Sequence, residues 1–319
     1  RAVGLSIGVI GVLVALNFWL YLSYGLVLPL AASLTMAVTA FALNMSFGYF
    51  VESRSKRELA NLFGTYVPPE LVDEMVKDPD AYSMKATNRE LTVMFCDMRG
   101  FTKMSEQMEP TQLQELLTGV FSRLTSLIRS NRGTIDKYMG DCVMAFWGAP
   151  NTLDDHAYRA CCAALKIQER MDTMNLEWER QGLAPLKVRI GIHSDSVLVG
   201  NIGSLERMSY TVMGDGVNVA ARLEGVNKHY GTQILIEGST CVQAGEGIRS
   251  RLIDQVRVAG KREAVEVWEL VGVAGEPGQI LSAEDLAAWR EIRTLHDAGD
   301  FQAMARSLEV FLVSHPNDG

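Results

Sequence analysis

The stretch ELTVMFCDMRGFT, residues 90–102, narrows what this chain can fold into more than any other. Residues 91–95 are a short run rich in β-branched and aromatic types, the pattern of a buried strand. The run delivers Asp97 to the strand's end, and Arg99-Gly100 then forces a turn. A carboxylate at the tip of a buried strand is destabilising unless it is paired or bound to a metal. Taken alone, such an aspartate is as readily a helix cap or a turn former. A second segment, GTIDKYMGDCVMAFW at 133–147, reads as strand, tight Gly140-Asp141 turn, strand, which is a β-hairpin with Asp141 at its tip. Two acids at two strand ends can clamp two divalent ions where the strands are neighbours.

The 319 residues allow about two domains. Net charge is −8 with no basic tract, which argues against a phosphate-neutralising nucleic-acid surface. The cysteines (Cys96, Cys142, Cys161, Cys162, Cys241) are odd in number, with no CxxC pair, and read as reduced core residues of a cytosolic domain. Residues 2–22 carry no acid or base and are long enough for a helix to cross ~30 Å of hydrocarbon. Residues 26–50 form a second such run, with Pro29 near its start and Ser23-Tyr24-Gly25 as the turn between them. Tyr21, Tyr24 and Tyr49 lie near the ends, and Arg54-Ser55-Lys56-Arg57 follows as a basic, cytoplasmic-side flank. The expectation is a two-helix transmembrane hairpin over 1–51 and a multi-pass protein of the inner membrane, with the lipid bilayer as a partner. Any extracytoplasmic part would precede Arg1, and the chain reads as the C-terminal piece of something larger.

Residues 52–86 read as a helical connector, broken at FGTYVPP (63–69) and ended at Asp78-Pro79-Asp80. It is placed either to transmit a helix rotation or to act as an inert spacer. Residues 110–129 are an amphipathic helix, with Leu113, Leu116, Leu117, Val120, Phe121 and Leu124 on one face. A long helix is expected over 154–181, with strands over 186–192, where Lys187 and Arg189 face outward, over 197–202 and over 210–213. Gly214-Asp215-Gly216 opens a helix with Asp215 as its N-cap, and Asn218 and Arg222, four apart, share a face. Strands over 233–236, 250–258 and 264–271 complete an α+β, ferredoxin-like order: one antiparallel or mixed sheet with helices on one face. Residues 283–296 and 301–314 read as a helix pair separated by Gly299, either a single tetratricopeptide-like unit or a C-terminal cap.

FCDMRGFT, KYMGD and TVMGDGVNVAARLE, in that order, resemble the three motifs of the class III nucleotide cyclase catalytic domain, over about 90–270. The connector FGTYVPPELVDEMVKDP and the apolar runs before it resemble bacterial adenylate cyclases with an N-terminal extracytoplasmic CHASE2 sensor. The resemblance implies a domain order of 1–51 membrane helices, 52–86 connector, 87–273 catalytic domain and 280–319 helix pair. It implies that Asp97 and Asp141 hold two Mg²⁺ or Mn²⁺ ions, with the Met98 backbone carbonyl as a further ligand. One ion would lower the pKa of the ribose 3′-hydroxyl, and both would stabilise charge on the α-phosphate and the departing pyrophosphate. Arg222 would neutralise the equatorial oxygens of the transition state, and Asn218 would fix the ribose for in-line attack.

Lys137 matches the position that reads adenine N1 in adenylyl cyclases, where guanylyl cyclases tend to have Glu. Its partner is Thr211, where many adenylyl cyclases have Asp, and a hydroxyl can both accept and donate. The Lys/Thr combination resembles the class IIIb branch. The family's triphosphate lysine is replaced by Ala259, so that either Lys261 or Arg257 compensates or the triphosphate is held less tightly. In the family the metal acids come from one subunit and the base reader, Asn and Arg from the other, so one copy of each motif implies a head-to-tail homodimer with two shared sites. The expected activity is adenylyl cyclase, ATP to cyclic AMP and pyrophosphate. The alternatives are a guanylyl cyclase and a catalytically silent nucleotide-binding dimerisation module.

Overall fold

The computed structural model describes residues 2–26, most of 35–43, residue 46, and 86–315 apart from 107, 181, 183, 205–206, 257–263 and 276–280. The chain divides into two compact units, Arg1–Tyr66 and Val67–Gly319. The first contains α1, Ala2–Tyr24, an apolar helix closed by Gly25 at φ 65°, whose N–H bonds back to the Tyr21 carbonyl at 3.0 Å. The expected transmembrane hairpin, and the multi-pass inner-membrane location with it, must be corrected. Among the described residues no helix is long and apolar enough to cross a membrane. In the second run only 35–36, 38–43 and 46 are described as helical. The connector expected over 52–86 lies outside the described residues, apart from residue 86.

The second unit is built on β1, Thr87–Arg99, which is longer than the apolar run that announced it. Around it come α2 (Phe101–Ser105), α3 (Pro110–Ser130), β2 (Thr134–Met139), β3 (Cys142–Trp147), α4 (His156–Arg180) and β4 (Lys187–Gly203). Then follow β5 (Met208–Met213), α5 (Asp215–Tyr230), β6 (Ile234–Glu237), α6 (Gly238–Ala244), β7 (Ile248–Val256) and β8 (Val265–Val273). Among the described residues the sheet runs β2-β3-β1-β4-β6-β8-β7, with β5 also on β4. Pairing is antiparallel except between β4 and β6, so the sheet is mixed and the α+β expectation stands.

Two expectations fail here. The strands expected over 186–192 and 197–202 are one strand, because the polar break Ser194-Asp195-Ser196 stays in register with Thr92, Leu91 and Glu90 of β1. Helices also cover both faces of the sheet, not one. Met94 and Cys96 of β1 join α3 and α4 in one core, while Val93 and Phe95 join Val212 and Ala220 in another. A strand buried on both faces reads as a continuous apolar run, as 91–96 does. On the second face α5 lies against β4 so closely that a Cβ at Gly191 would stand 2.3 Å from the Ala220 carbonyl oxygen and the Glu224 nitrogen.

After β8 come α7 (Ala283–Asp297) and α8 (Phe301–Ser314), the helix pair read from the sequence. A Ser282/Asp285 capping box starts α7. The pair docks on β7, the last strand of the sheet: Trp289 Nε1 donates to the Leu252 carbonyl at 2.8 Å and Arg293 to Ile253 at 3.1 Å. The Arg251 guanidinium lies 4.4 Å from the Trp289 ring centroid. The pair therefore shields a sheet edge whose backbone would otherwise stand open.

Candidate active site

β1 places Asp97 between two neighbours. On one side β3 pairs with β1 through Cys96↔Val143, bringing the Gly140-Asp141 turn alongside. On the other, Asp97 stands opposite Arg189 of β4, and the Arg189 Nη2 lies 3.4 Å from its carboxylate. Arg189 is not outward-facing as expected, because α5 covers that face of the sheet: its Nε meets Glu224 of α5 at 2.9 Å. The side chains of Asp97, Arg189 and Glu224 are only 24%, 19% and 15% exposed. Burial, then the Asp141 charge, raise the Asp97 carboxyl above its ordinary value, against the pull of Arg189. Burial and Asp97 do the same to Glu224. Burial also pushes the adjoining Cys142 thiol up to about 12, so it stays neutral. Asp97 and Glu224 thus share one guanidinium while both feel the Asp141 charge, and the surplus of negative charge suits a hard cation with oxygen ligands.

Among the described residues no group of three or more His, Cys, Asp or Glu side chains is arranged to hold a metal by itself. A two-carboxylate donor set still fits a magnesium-type ion, which keeps much of its shell for water and substrate phosphates. Met98, expected to offer its carbonyl, lends its backbone N–H to the Asp97 carboxylate, while its side chain is in the core.

A second cluster forms where β2 meets β5. The β2–β3 register shifts between Ile135 and Lys137, leaving Asp136 as a bulged residue whose side chain is 1% exposed. Its carboxylate accepts from the Thr211 hydroxyl at 2.5 Å and from the Val212 N–H at 3.4 Å, and lies 3.3 Å from the Lys137 ammonium. Burial raises the Asp136 carboxyl and these donors oppose the rise. The structure therefore brings Lys137 and Thr211 together, as the sequence suggested, through an acid the sequence reading passed over.

Asn218 and Arg222 lie on α5, whose N-cap is Gly214, with Asp215 as the first helical residue and not the cap. Gly216 is required at the helix start, since a Cβ there would stand 2.6 Å from that of Asp195. Asn218 is exposed; Arg222 is half-buried, and its buried Nη1 has no hydrogen-bond partner among the described residues. No hydrogen bond or ion pair among the described residues joins either side chain to the acid pair or to the Lys137 cluster. Lys261, Arg257 and Ala259 lie outside the described residues.

Residues 84–272 match the family described as the adenylate and guanylate cyclase catalytic domain. The chain is 36% identical over 217 residues to adenylate cyclase 1 of Rhizobium meliloti (strain 1021), covering 68% of this chain and 33% of that protein. It is 41% identical over 192 residues to an adenylate cyclase of Anabaena cylindrica, covering 58% of this chain and 37% of that one. The chain thus spans about a third of the length of these relatives. Among solved structures it resembles the adenylyl cyclase CyaB of P. aeruginosa (TM-score 0.56, 33% identity, 61% of this chain and 100% of that one). It resembles the guanylyl cyclase Cya2 as closely (TM-score 0.57, 33% identity, 62% of this chain and 100% of that one).

Proposed function

The chain belongs to the adenylate and guanylate cyclase catalytic-domain family, and on that premise we propose that it is an adenylyl cyclase, converting ATP to 3′,5′-cyclic AMP and pyrophosphate. The observation that carries this reading is the juxtaposition of Asp97 and Asp141 at adjoining strand ends, with negative charge in surplus of Arg189 and Glu224 close by. Residues 87–273 form the catalytic domain, 52–86 the connector before it and 280–319 the helix pair that follows. Asp97 and Asp141, with the Met98 carbonyl, are the residues that would hold two divalent ions, Mg²⁺ or Mn²⁺. Such ions, when bound, make the ribose 3′-hydroxyl more acidic and neutralise charge on the phosphates.

The rest of the work falls to the chain's own side chains. Asn218 orients the ribose so that the 3′-oxygen faces the α-phosphate in line with the departing pyrophosphate. Arg222 meets the equatorial oxygens, where its unpartnered Nη1 has a use for an anion. Lys137 donates to the base, Thr211 contacts the exocyclic group, and Lys261 is assigned to the triphosphate on sequence alone. Two copies of the chain share each site: Asp97 and Asp141 from one, and Lys137, Thr211, Asn218 and Arg222 from the other. Supporting this, Met139, Met208 and Met213, around the β2 tip and β5, are 40%, 45% and 54% exposed, an adaptable apolar surface suited to being covered.

A guanylyl cyclase is the second reading, favoured by the equal likeness to Cya2. The adenylyl reading is preferred because Lys137, a pure donor, suits adenine N1, an acceptor, and not the N1–H of guanine. Product formation from ATP and from GTP, with Mn²⁺ or Mg²⁺, decides. Cyclic AMP supports the proposal and cyclic GMP transfers it to the second reading. No product under any condition leaves a nucleotide-binding dimerisation module.

A further inference from the structure

We infer that Asp136 is the positioning residue for base choice: by taking the proton of the Thr211 hydroxyl, it leaves Thr211 only lone pairs to show the base. The inference rests on the proposed role of Lys137 and Thr211 in reading the purine. A threonine hydroxyl has one proton and two acceptor positions, so alone it greets a 6-amino and a 6-oxo group alike. Here the proton is committed. Thr211 Oγ1 donates to Asp136 at 2.5 Å, and the same carboxylate is approached by the Val212 N–H and by the Lys137 ammonium at 3.3 Å. Three donors converging on one buried carboxyl identify it as an acceptor.

The consequence is a fixed order of hydrogen-bonding character. Lys137 presents a donor and Thr211 an acceptor. The Watson–Crick edge of adenine answers with an acceptor at N1 and a donor at the 6-amino group. Guanine offers the reverse at both positions. The bulge is what makes the arrangement available, because it frees Asp136 from the β2–β3 ladder to reach across to β5. A competing role for Asp136 is purely mechanical, a strut tying β2 to β5, and the two roles differ in what their loss does to substrates.

The test compares ATP with inosine 5′-triphosphate, which carries a 6-oxo group where ATP has the 6-amino group. In the parent, kcat/KM favours ATP by roughly tenfold or more, as an acceptor-only Thr211 leaves the oxo group without a donor. Asp136→Ala lowers that ratio by about threefold or more, because the freed Thr211 hydroxyl can turn its proton toward the oxo group. Asp136→Asn, whose amide oxygen still accepts the Thr211 proton, keeps most of it. Thr211→Val lowers the ratio at least as far, and adding Asp136→Ala to it lowers the ratio no further. Should Asp136→Ala fail to fold, Asp136→Ser takes its place, since a serine hydroxyl can itself donate to Thr211 and undo the commitment. If Asp136→Ala or its substitute lowers both substrates alike with the ratio intact, Asp136 is a strut and the inference is wrong. If the parent makes no cyclic product from ATP, the cyclase reading falls first and takes the inference with it.

Discussion

At the scale of single residues, the site is a matter of which polar groups are left with something to do. Asp97 has Arg189, and Asp136 has Thr211, Val212 and Lys137. The buried Nη1 of Arg222 has no partner among the described residues, and an unpaired buried donor is destabilising unless a ligand completes it. Arg222→Ala should therefore leave the fold intact, and even relieve it slightly, while lowering kcat about 10²–10³-fold, the usual loss when a transition-state donor is removed. A thermal melt run beside steady-state kinetics checks both halves; a variant that melts early and keeps its kcat would make Arg222 structural. The placing of Asp97 near a strand end, of Asp141 at a hairpin turn and of Asn218 and Arg222 on one helix was legible in local pattern, while their proposed roles came from the family resemblance. Asp136 was not legible, since one bulged residue leaves no trace in the alternation of β2. Arg189 was misread because alternation reveals that a side chain faces away from one core, and not that a second helix waits on the other side.

At the scale of elements, local signals set helix and hairpin boundaries well and sheet relations poorly. The helix pair, α3, and the β2–β3 hairpin lie where periodicity put them. The merging of two expected strands into β4 depends on pairing with β1, which is information about another segment. The short helix α6 was missed altogether, and its start shows why: it is held by a cap that only the fold assembles. Glu237 accepts from the Ser239 N–H at 2.7 Å, while His193 Nδ1, from β4, lies 3.3 Å from the same carboxylate. Burial alone would raise the Glu237 carboxyl, but the bonds from His193 and Ser239 overcome it and hold it at about 2, below its ordinary value of 4.5. A carboxyl depressed in the folded state stabilises fully above its unfolded value and loses that contribution as pH falls through the folded one. Glu237→Gln should therefore lower stability by about 1–3 kcal/mol at neutral pH. The gap to the parent should narrow between pH 4.5 and about 2. Urea unfolding of both proteins at pH 7 and pH 3.5 measures this, and a gap equally wide at both would show that the charge is not its source.

At the scale of the whole molecule, the residues proposed to act on the substrate fall into three groups. The acid pair lies where β1 meets the β2–β3 turn, the purine-reading cluster where β2 meets β5, and Asn218 with Arg222 on α5. On the proposed reading, a two-fold pair of chains would bring each chain's acids to its partner's base reader and make two identical sites. That arrangement has an arithmetical signature. Asp97→Ala and Asn218→Ala each abolish both sites of their own homodimer. Mixed in equal amounts with free exchange, half the dimers carry one of each chain, and in those one site loses both residues while the other keeps both. Half of the dimers with half of their sites restores roughly a quarter of the parental activity per chain. Titrating the ratio of the two variants at constant total protein should give a curve that peaks at equal amounts. A flat line at zero over protein concentrations where dimers form would mean that each chain builds its site alone.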